Sequence, residues 1–569
     1  MLTGDSGSAV QAWLRSHSMH SAPRSETGGS APWIGLAAAV ATLAVLVVYR
    51  TTHVVDDAFV VFRHAQNWVQ AGVPTWNVGE APVEGTSSFL WLVLMRWTEM
   101  LGLPLEGTSQ WLGGLFGVLT LRTLHRHLLN DLNLSTTPAG VGAVALAATP
   151  AFVIWCSGGL ETSLFTYLLL RTWIELVRPV GLAEWRRGSI AGLGAVGIAL
   201  CRPEGFLWVL ALAASARLVR SKQHSHDDTP RRRTRSVLYF GAYLVGFGAF
   251  LYWRHEVFGQ WVANPVRARF DLSGTALWLG TKQVVNWALM SVLPIATLLL
   301  LPLLLRGPRR GHALGALGMV LCGAVFQILA GPDDLAFFRL MAPVSPFVAM
   351  LLAMELTHSP MGRAWTPGTL LVSLAVLPIF HVEILPRTWR ETLAFRGAAS
   401  VYDDEWGRFK AERDRVEARL IVGEALAEAL AHGGAVLDPI GAAGFGYPGP
   451  VYDRHGHVDA EVARREATPE ARAKGHVREV PRAYFLDRSP TILAARLVPA
   501  QDAVPASAAF REHARSVLDD DPAGEAPLLT NCVVEVFTAD DLKRLAPGTA
   551  LLVWRRVDDP ERARAFWAE

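Results

Sequence analysis

The sequence predicts a polytopic α-helical membrane protein of about 11 transmembrane helices, followed by an extracytoplasmic α/β domain. Two observations predict this class. Long apolar runs with few charges recur up to about residue 380 and then become rare. The loops between these runs also differ in their content of Arg and Lys. We therefore expect a cytoplasmic tail at 1–32, a transmembrane domain at 33–380 and a soluble extracytoplasmic domain at 381–569.

Each predicted transmembrane helix approaches, with its flanks, the roughly 20 residues that cross a bilayer. The runs that are nearly free of charge are Trp33–Tyr49, Gly140–Trp155, Gly205–Val219, Val237–Trp253, Ala313–Ala330 and Thr369–Phe380. The shorter or interrupted runs are Glu106–Leu128, Leu160–Val177, Ile190–Leu200, Val284–Leu305 and Leu340–Leu356. A soluble buried core is the alternative, but repeated runs with basic connectors favour a membrane protein. The first run lacks a small-residue cleavage motif and predicts an anchor.

The basic residues predict the orientation. With the amino terminus inside, the inner loops include Arg178–Arg187, Arg217–Arg235 and Arg306–Arg310. The inner loops then hold about 13 Arg and Lys in about 60 residues, against about nine in about 100 residues of outer loops. An odd number of spans places 381–569 outside. We expect a plasma membrane protein with a cytoplasmic amino terminus.

Charge and cysteine content exclude two classes of partner. The formal net charge is only +2, which indicates no nucleic-acid partner. The four cysteines have neither CxxC nor Cys/His spacing, so a zinc site is not expected.

The first outer loop, residues 50–105, carries the strongest signal. The segment VVDDAFVVFRHAQNWVQAG predicts an amphipathic helix, with one apolar stripe and another face that carries Asp56 and Arg63 two turns apart. A solvated helix cap is the alternative reading of Asp56 and Asp57. Gly72 and Pro74 then break the helix, and 89–101 predicts an interfacial or re-entrant helix.

The predicted topology gathers ionisable residues at the outer ends of the spans. Such residues at span ends, facing one compartment, suggest a polar site at the membrane surface. The set comprises Asp56, Asp57, Glu84, Glu161, Arg202, Glu204, Asp333, Asp334 and Arg339, with Arg63 and His64 in the same first loop and Lys282 near a predicted span.

Several segments resemble one family in the order that the family shows. The stretch DDAFVVFRHAQNWVQAGVPTWNVGEAPVEGTSSFLW resembles the first outer loop of bacterial glycosyltransferases of the C superfamily (GT-C), especially relatives of mycobacterial terminal β-arabinofuranosyltransferases. SGGLETSLF, CRPEG, GPDDLAFFRLMAPVSP and DPIGAAGFGYPGPVYDRHGHVD match further segments. Thr86 stands where the family usually has an aromatic residue, and Gly331, Pro332 and Asp333 stand where GGD is common. Both departures bear on sugar or acceptor specificity.

The resemblance implies a GT-C-like fold and inverting transfer of a sugar, such as arabinofuranose, from a polyprenyl-phosphate donor to an envelope glycan or glycolipid. It also implies an outer-loop aspartate as the catalytic base, so Asp56 or Asp57, with Asp56 favoured because it shares a face with Arg63. Arginines, and Lys282, would face the departing phosphate. This set comprises Arg63, Arg202 and Arg339.

Most of the other site residues have two possible roles. Glu84 and Glu161 can accept hydrogen bonds from sugar hydroxyls, while Glu161 and Glu204 can equally cap helix starts. Asp333 and Asp334 can hold a divalent cation with the first aspartate pair, or pair with Arg339. The sequence itself requires no cofactor.

The outer domain is expected to begin with a charged helix over about 402–431 and to continue with short strands and turns. Two other classes stay open. A lipid or solute transporter or flippase also places charges near a membrane site, and a non-catalytic envelope or motility-associated protein could share the fold.

Overall fold

The computed structural model describes residues 33–50, 53–179, 183–220, 229–291, 307–331, 333, 335–357, 405–430, 433–466, 478–505, 507–519, 528 and 530–568. Some sequence predictions lie outside these residues. They are the tail 1–32, Asp334, the span Thr369–Phe380, the later part of Val284–Leu305 and the domain boundary at 380.

The first three helices build the predicted loop. Helix α1 (Ile34–Arg50) leads into it, and α2 (Asp56–Ala71) and α3 (Phe89–Met100) lie within it. Gly72 ends α2 because its φ of 76° is left-handed, a conformation that glycine adopts without steric cost. The hydrophobic spacing therefore predicted α2, and Gly72 predicted its end.

The helices of the apolar region follow the predicted runs with shifted ends, except for one short helix at Asn264–Arg269 that no run predicted. They are α4 (Leu105–Arg126), α5 (Thr136–Ala148), α6 (Pro150–Trp155), α7 (Thr162–Val177), α8 (Glu184–Cys201), α9 (Gly205–Arg220), α10 (Thr229–Phe258), α11 (Asn264–Arg269), α12 (Gly274–Ser291), α13 (Arg310–Ala330) and α14 (Ser345–Leu356). The run predicted as one span over 140–155 is two helices. Pro150 begins the second, where its missing N–H costs no intrahelical bond. Helix α12 begins well before the predicted start at Val284.

Among the described residues, three helical stretches are long and apolar enough to cross a membrane, judged by length and composition. They are Arg233–Phe258, Arg310–Ala330 and Arg339–Leu356, the last combining a 3₁₀ turn (Arg339–Val344) with α14. Shorter apolar helices lie at Ile34–Val47, Thr136–Ala148 and Gly205–Val219. The total of about 11 spans stays a prediction.

The described residues from 405 onward contain a five-stranded mixed sheet with helices around it. The elements are α15 (Glu405–Ala429), β1 (Ala435–Leu437), α16 (Ala442–Gly446), β2 (Val451–Asp453), β3 (Ile492–Pro499), α17 (Ala508–Asp519), β4 (Cys532–Thr538), β5 (Thr549–Arg556) and α18 (Pro560–Ala568). The strand order is β2-β1-β3-β5-β4. Strand β1 runs parallel to β2 and β3, whereas β5 is antiparallel to β3 and β4. Residues 550–554 are buried throughout, as expected for a strand covered on both faces.

The helical region and the sheet region share hydrophobic cores. Trp406, Phe409 and Val416 of α15 belong to the large core of the helical region. In the other direction, Val60 of α2 and Trp76 pack with residues around β1 and β3. The first loop is therefore held between the two regions, and the contact between them positions its aspartates.

Candidate active site

Asp56 and Asp57 open α2, and the helix turns their side chains in different directions. Adjacent helical residues point about 100° apart. The Asp56 side chain is 13% exposed and that of Asp57 is 33% exposed. The two carboxylates consequently have different partners.

Asp56 faces the segment that follows β1. Its Oδ1 accepts a hydrogen bond of 3.0 Å from the backbone N–H of Ala442, and Arg419 Nη1 lies 3.4 Å from the same oxygen. A side chain at Gly441 would overlap the Asp56 carboxylate, so the close approach requires glycine. Burial raises the pKa of Asp56, opposed by Arg419. Asp56 therefore ties α2 to the sheet region.

Asp57 faces a group of cations. Its Oδ2 lies 3.5 Å from Arg269 Nη2 and 3.8 Å from Arg339 Nη1. Partial burial opposes ionisation, but the positive charges of Arg269 and Arg339 hold the pKa of Asp57 below its usual range. His457 completes the surroundings, and burial with the nearby Arg269 lowers its pKa to about 4. Asp57 is thus an ionised carboxylate with solvent access.

Arg339 links Asp57 to a second loop. Its Nε lies 3.3 Å from Asp333 Oδ2, and its side chain is 15% exposed. The backbone of Asp333 is fixed by Gln283 of α12, whose amide both donates to the Asp333 carbonyl at 2.7 Å and accepts from the Asp333 N–H at 3.1 Å. Lys282 precedes Gln283 on the same helix. The structure therefore brings Asp57, Asp333 and Arg339 together.

Arg202 is the centre of a buried group on the loops before α7 and α9. Its Nε donates to Glu161 at 2.8 Å and its Nη2 to the Thr162 hydroxyl at 2.8 Å. Its Nη1 lies 3.6 Å from Glu204 Oε1. Glu161 and Glu204 also interact electrostatically with Arg339, which connects this group to the Asp57 cluster.

Glu84 and His64 lie deeper in the first loop. Glu84 forms an ion pair of 2.9 Å with Arg254 of α10, and burial raises its pKa to about 6. His64 is fully buried, with Nε2 3.0 Å from the Val83 carbonyl. Burial lowers the pKa of His64 to about 4. His64 thus holds the turn that carries Glu84, rather than facing Asp57.

Arg63 does not join the Asp57 cluster. Its guanidinium donates to the carbonyls of Gly444, Tyr447 and Gly449, the last two at 2.5 and 2.8 Å, and also contacts Asn77. The group is 5% exposed and lies over the Trp76 ring. Asp56 and Arg63 do share a face of α2, as their spacing predicts. That face docks on residues 441–451 instead of lining the cation cluster.

The sequence offered Asp333 either a divalent cation or Arg339 as its partner. In the structure the Asp333 carboxylate pairs with Arg339. Within the described ranges, no three His, Cys, Asp or Glu side chains are grouped to hold a metal ion. Asp334, the other predicted ligand, lies outside those ranges.

Sequence reasoning missed Arg254, Arg269, Arg419 and His457. One signal could have found Arg269: a loop predicted to lie outside carries two arginines in NPVRAR, against the positive-inside bias, which points to another role. Arg419 and His457 are distant in sequence from Asp56 and Asp57, and a single sequence contains no measure of that proximity.

No family model matches the chain, and no curated protein matches it in sequence. In structure it is similar to ArnT from Cupriavidus metallidurans bound to undecaprenyl phosphate, at 13% identity, TM-score 0.56, and coverage of 92% of this chain and 97% of ArnT. The apo state of ArnT gives 12% identity, TM-score 0.54, and coverage of 96% and 98%. Arabinofuranosyltransferase AftD from Mycobacteria gives 13% identity, TM-score 0.47, and coverage of 94% and 40%.

The similarity to ArnT extends over nearly the whole of both chains, so it describes the entire fold rather than one module. The chain therefore has the same overall fold as ArnT.

Proposed function

We propose that the protein is a membrane glycosyltransferase that transfers a sugar from a polyprenyl-phosphate donor to an acceptor hydroxyl at the outer face of the membrane. The observation that carries the proposal is the position of Asp57, a partly exposed carboxylate 3.5 Å from Arg269 and 3.8 Å from Arg339 at the start of α2. A base next to two guanidinium groups is what the transfer of a sugar away from a phosphate requires.

Asp57 is the residue we propose as the base. The acceptor oxygen attacks the anomeric carbon while Asp57 takes the hydroxyl proton. The bond between that carbon and the phosphate oxygen breaks on the opposite side, and its electron pair leaves with the polyprenyl phosphate. The configuration at the anomeric carbon is thereby inverted. Asp56 is less suited to this role because the Ala442 amide and Arg419 occupy its carboxylate.

Arg269 and Arg339 are the groups we propose for the departing phosphate. Guanidinium groups bind phosphate oxygens in a fixed, bidentate geometry, and their charge stabilises the negative charge that develops on the leaving group. Both lie beside Asp57, whereas Arg63 is occupied by three backbone carbonyls. The proposal thus keeps Arg339 from the set suggested by the sequence and replaces Arg63 by Arg269. It leaves out Arg202, whose guanidinium is paired with Glu161 and the Thr162 hydroxyl. Lys282 is a further candidate because Gln283, next to it, fixes the Asp333 loop.

The carboxylates near Arg202 and Arg254 are proposed to orient sugars. Glu161 and Glu204 interact electrostatically with Arg339, the arginine proposed for the phosphate, and this suits recognition of the donor sugar. Glu84 lies on the first loop and is paired with Arg254, and it suits a hydroxyl of either substrate.

Carrier, sugar and location complete the proposal. ArnT, which has the same fold, was solved with undecaprenyl phosphate, and this supports a carrier of that class. Arabinofuranose is the sugar to test first, because residues 56–91 resemble arabinofuranosyltransferases, and a cell-envelope glycan or glycolipid is the matching acceptor. We place the protein in the bacterial plasma membrane, with residues 381–569 outside the cytoplasm.

Native mass spectrometry of the purified protein, followed by a transfer assay, tests the function. We expect a co-purified polyprenyl phosphate or its glycoside, and transfer of label from a synthetic polyprenyl-phosphate arabinofuranose to an arabinan oligosaccharide. Transfer of another sugar would correct only the donor. Donor binding without any transfer, combined with lipid movement across a vesicle bilayer, would replace this function by a flippase.

Single-cysteine labelling in intact cells tests the orientation. In a variant without the four native cysteines, an impermeant reagent should label a cysteine at Ser507 and not one at Ser225. The reverse pattern would contradict the proposed topology.

A further inference from the structure

The loop that carries Asp333 and Arg339 contains two left-handed residues in succession. Phe337 and Phe338 have φ values of 58° and 53°, immediately before Arg339. Bulky side chains rarely adopt this conformation, and such strain persists only where surrounding contacts hold the backbone. The position of Arg339 therefore depends on whatever holds the two phenylalanines.

One stripe of α15 contacts this loop. The Phe337 N–H donates to Glu405 Oε2 at 3.0 Å, and the Ala336 N–H lies 3.4 Å from Glu412 Oε2. Arg408 donates to the Asp333 carbonyl at 2.9 Å. Glu405, Arg408 and Glu412 follow each other at helical spacing, so they share a face of α15.

Aromatic packing completes the hold on the loop. The Phe337 ring meets Trp406 edge to face, with centroids 4.7 Å apart, and lies 5.9 Å from Phe409. From the opposite side, the Trp155 indole donates to the Phe337 carbonyl at 3.1 Å. Both backbone polar groups and the ring of Phe337 are thereby fixed.

The same helix also reaches the other half of the site. Phe409 packs against His53, just before α2, with centroids 5.4 Å apart. Further along, Arg419 lies 3.4 Å from Asp56. At about 1.5 Å per residue, Glu405 and Arg419 are about 21 Å apart along the helix axis. Helix α15 thus touches both the Arg339 loop and the start of α2.

We propose that α15 sets the distance between Asp57 and Arg339, with Glu405 as a positioning residue. The inference rests on the proposed function for its consequence, because a misplaced Arg339 would weaken the contact with a lipid phosphate. Glu405 itself does not touch Asp57 or Arg339 in the described contacts. It acts by holding Phe337 in its left-handed conformation.

The test compares Glu405→Ala, which removes the acceptor for the Phe337 amide, with Glu405→Gln, whose side-chain oxygen retains it. Lys410→Ala is a matched control, because Lys410 lies on the exposed side of the same helix. Hydrogen exchange is measured at the backbone amides of residues 339–342 and 344, because Pro343 has no N–H. We expect exchange there to rise at least about tenfold in Glu405→Ala alone, as for local opening of a held segment.

A binding cycle with Arg339→Lys gives the second readout. Glu405→Ala should weaken binding of undecaprenyl phosphate about tenfold in the native background and less than about twofold in the Arg339→Lys background, since coupled residues are not additive. Equal losses in both backgrounds, or unchanged exchange at 339–344, would overturn the positioning role. If the protein bound no polyprenyl phosphate, the proposed function would fail, while the exchange comparison would still decide the role of α15.

Discussion

The two aspartates at the start of α2 are neighbours in sequence and belong to different parts of the molecule. Asp56, with Arg63 two turns later, docks on residues 441–451, where both are enclosed by backbone groups. Asp57 faces Arg269 and Arg339 and keeps a third of its side chain exposed. One face of α2 therefore docks on the sheet region, and the proposed function assigns the chemistry to the adjacent face. The predictions below test that division.

Replacing each aspartate separately should give the largest contrast. Loss of a catalytic base typically lowers turnover by a factor of about 10² to 10⁴. We expect this loss in Asp57→Asn with donor still bound. Asp56→Asn keeps an oxygen for the Ala442 amide and should lower turnover less than about tenfold. Transfer assays on folded, donor-loaded protein measure both, and the opposite ranking of the two variants would restore Asp56 as the base.

Replacing Arg63 and Arg269 one at a time should separate an effect on stability from an effect on activity. Arg63→Ala leaves buried carbonyls without a donor and should lower the free energy of unfolding by about 3 kcal/mol. The Arg269 side chain is half exposed, so Arg269→Ala should change the free energy of unfolding by less than about 0.5 kcal/mol. The same substitution should impair sugar transfer. Thermal unfolding in detergent measures the first effect. An unstable Arg269→Ala protein, together with a stable Arg63→Ala protein, would reverse the assignment.

The buried carboxyl of Glu412 should make stability depend on pH. Burial raises its pKa from 4.5 to about 7 in the folded protein. Below pH 4.5 both states hold the proton, whereas between pH 4.5 and 7 only the unfolded state releases it. Stability therefore falls as pH rises through this window, by about 3 kcal/mol in total. Glu412→Gln should remove this decline, so its melting temperature should exceed that of the native protein at pH 8 and not at pH 4.5. Parallel pH profiles of the two proteins would contradict the prediction.

Conservative replacement of an arginine should have the smallest effect. Arg339→Lys keeps the charge and loses the planar fork, so donor affinity should fall about tenfold with the fold preserved. Arg63→Lys, compared per folded molecule, should leave donor affinity unchanged. Titration with undecaprenyl phosphate in nanodiscs measures both. Equal losses in the two variants would show that both faces of α2 serve the donor.

Local sequence patterns predicted the parts of the fold that depend on local physics. The spacing of apolar residues predicted α2, and Gly72 predicted its end. The motifs predicted a GT-C-like fold, and the chain is similar in structure to ArnT along nearly its whole length. Pairings between distant segments were not predictable in this way. The sequence assigned Arg63 to the phosphate from its predicted outer position. Its actual partners, the carbonyls of residues 444, 447 and 449, follow it by hundreds of residues, so a local pattern could not reveal them.

The candidate site shows the same division. The sequence identified Asp57, Asp333 and Arg339 through their common outer placement, and the structure brings them together. The sequence favoured Asp56 over Asp57 as the base, because Asp56 shares a helical face with Arg63. Helical periodicity shows which residues share a face, but it does not show which other residues contact that face. The left-handed Phe337 and Phe338 were also unpredictable, since their conformation depends on α15, which begins at Glu405.

A cryo-EM structure with undecaprenyl phosphate bound would test the division of α2 most directly. The account predicts the phosphate within hydrogen-bonding distance, about 3 Å, of Arg339 or Arg269, with Arg63 still bound to the carbonyls of residues 444–449. A phosphate held by Arg63 next to Asp56, with no contact to Arg269 or Arg339, would contradict it.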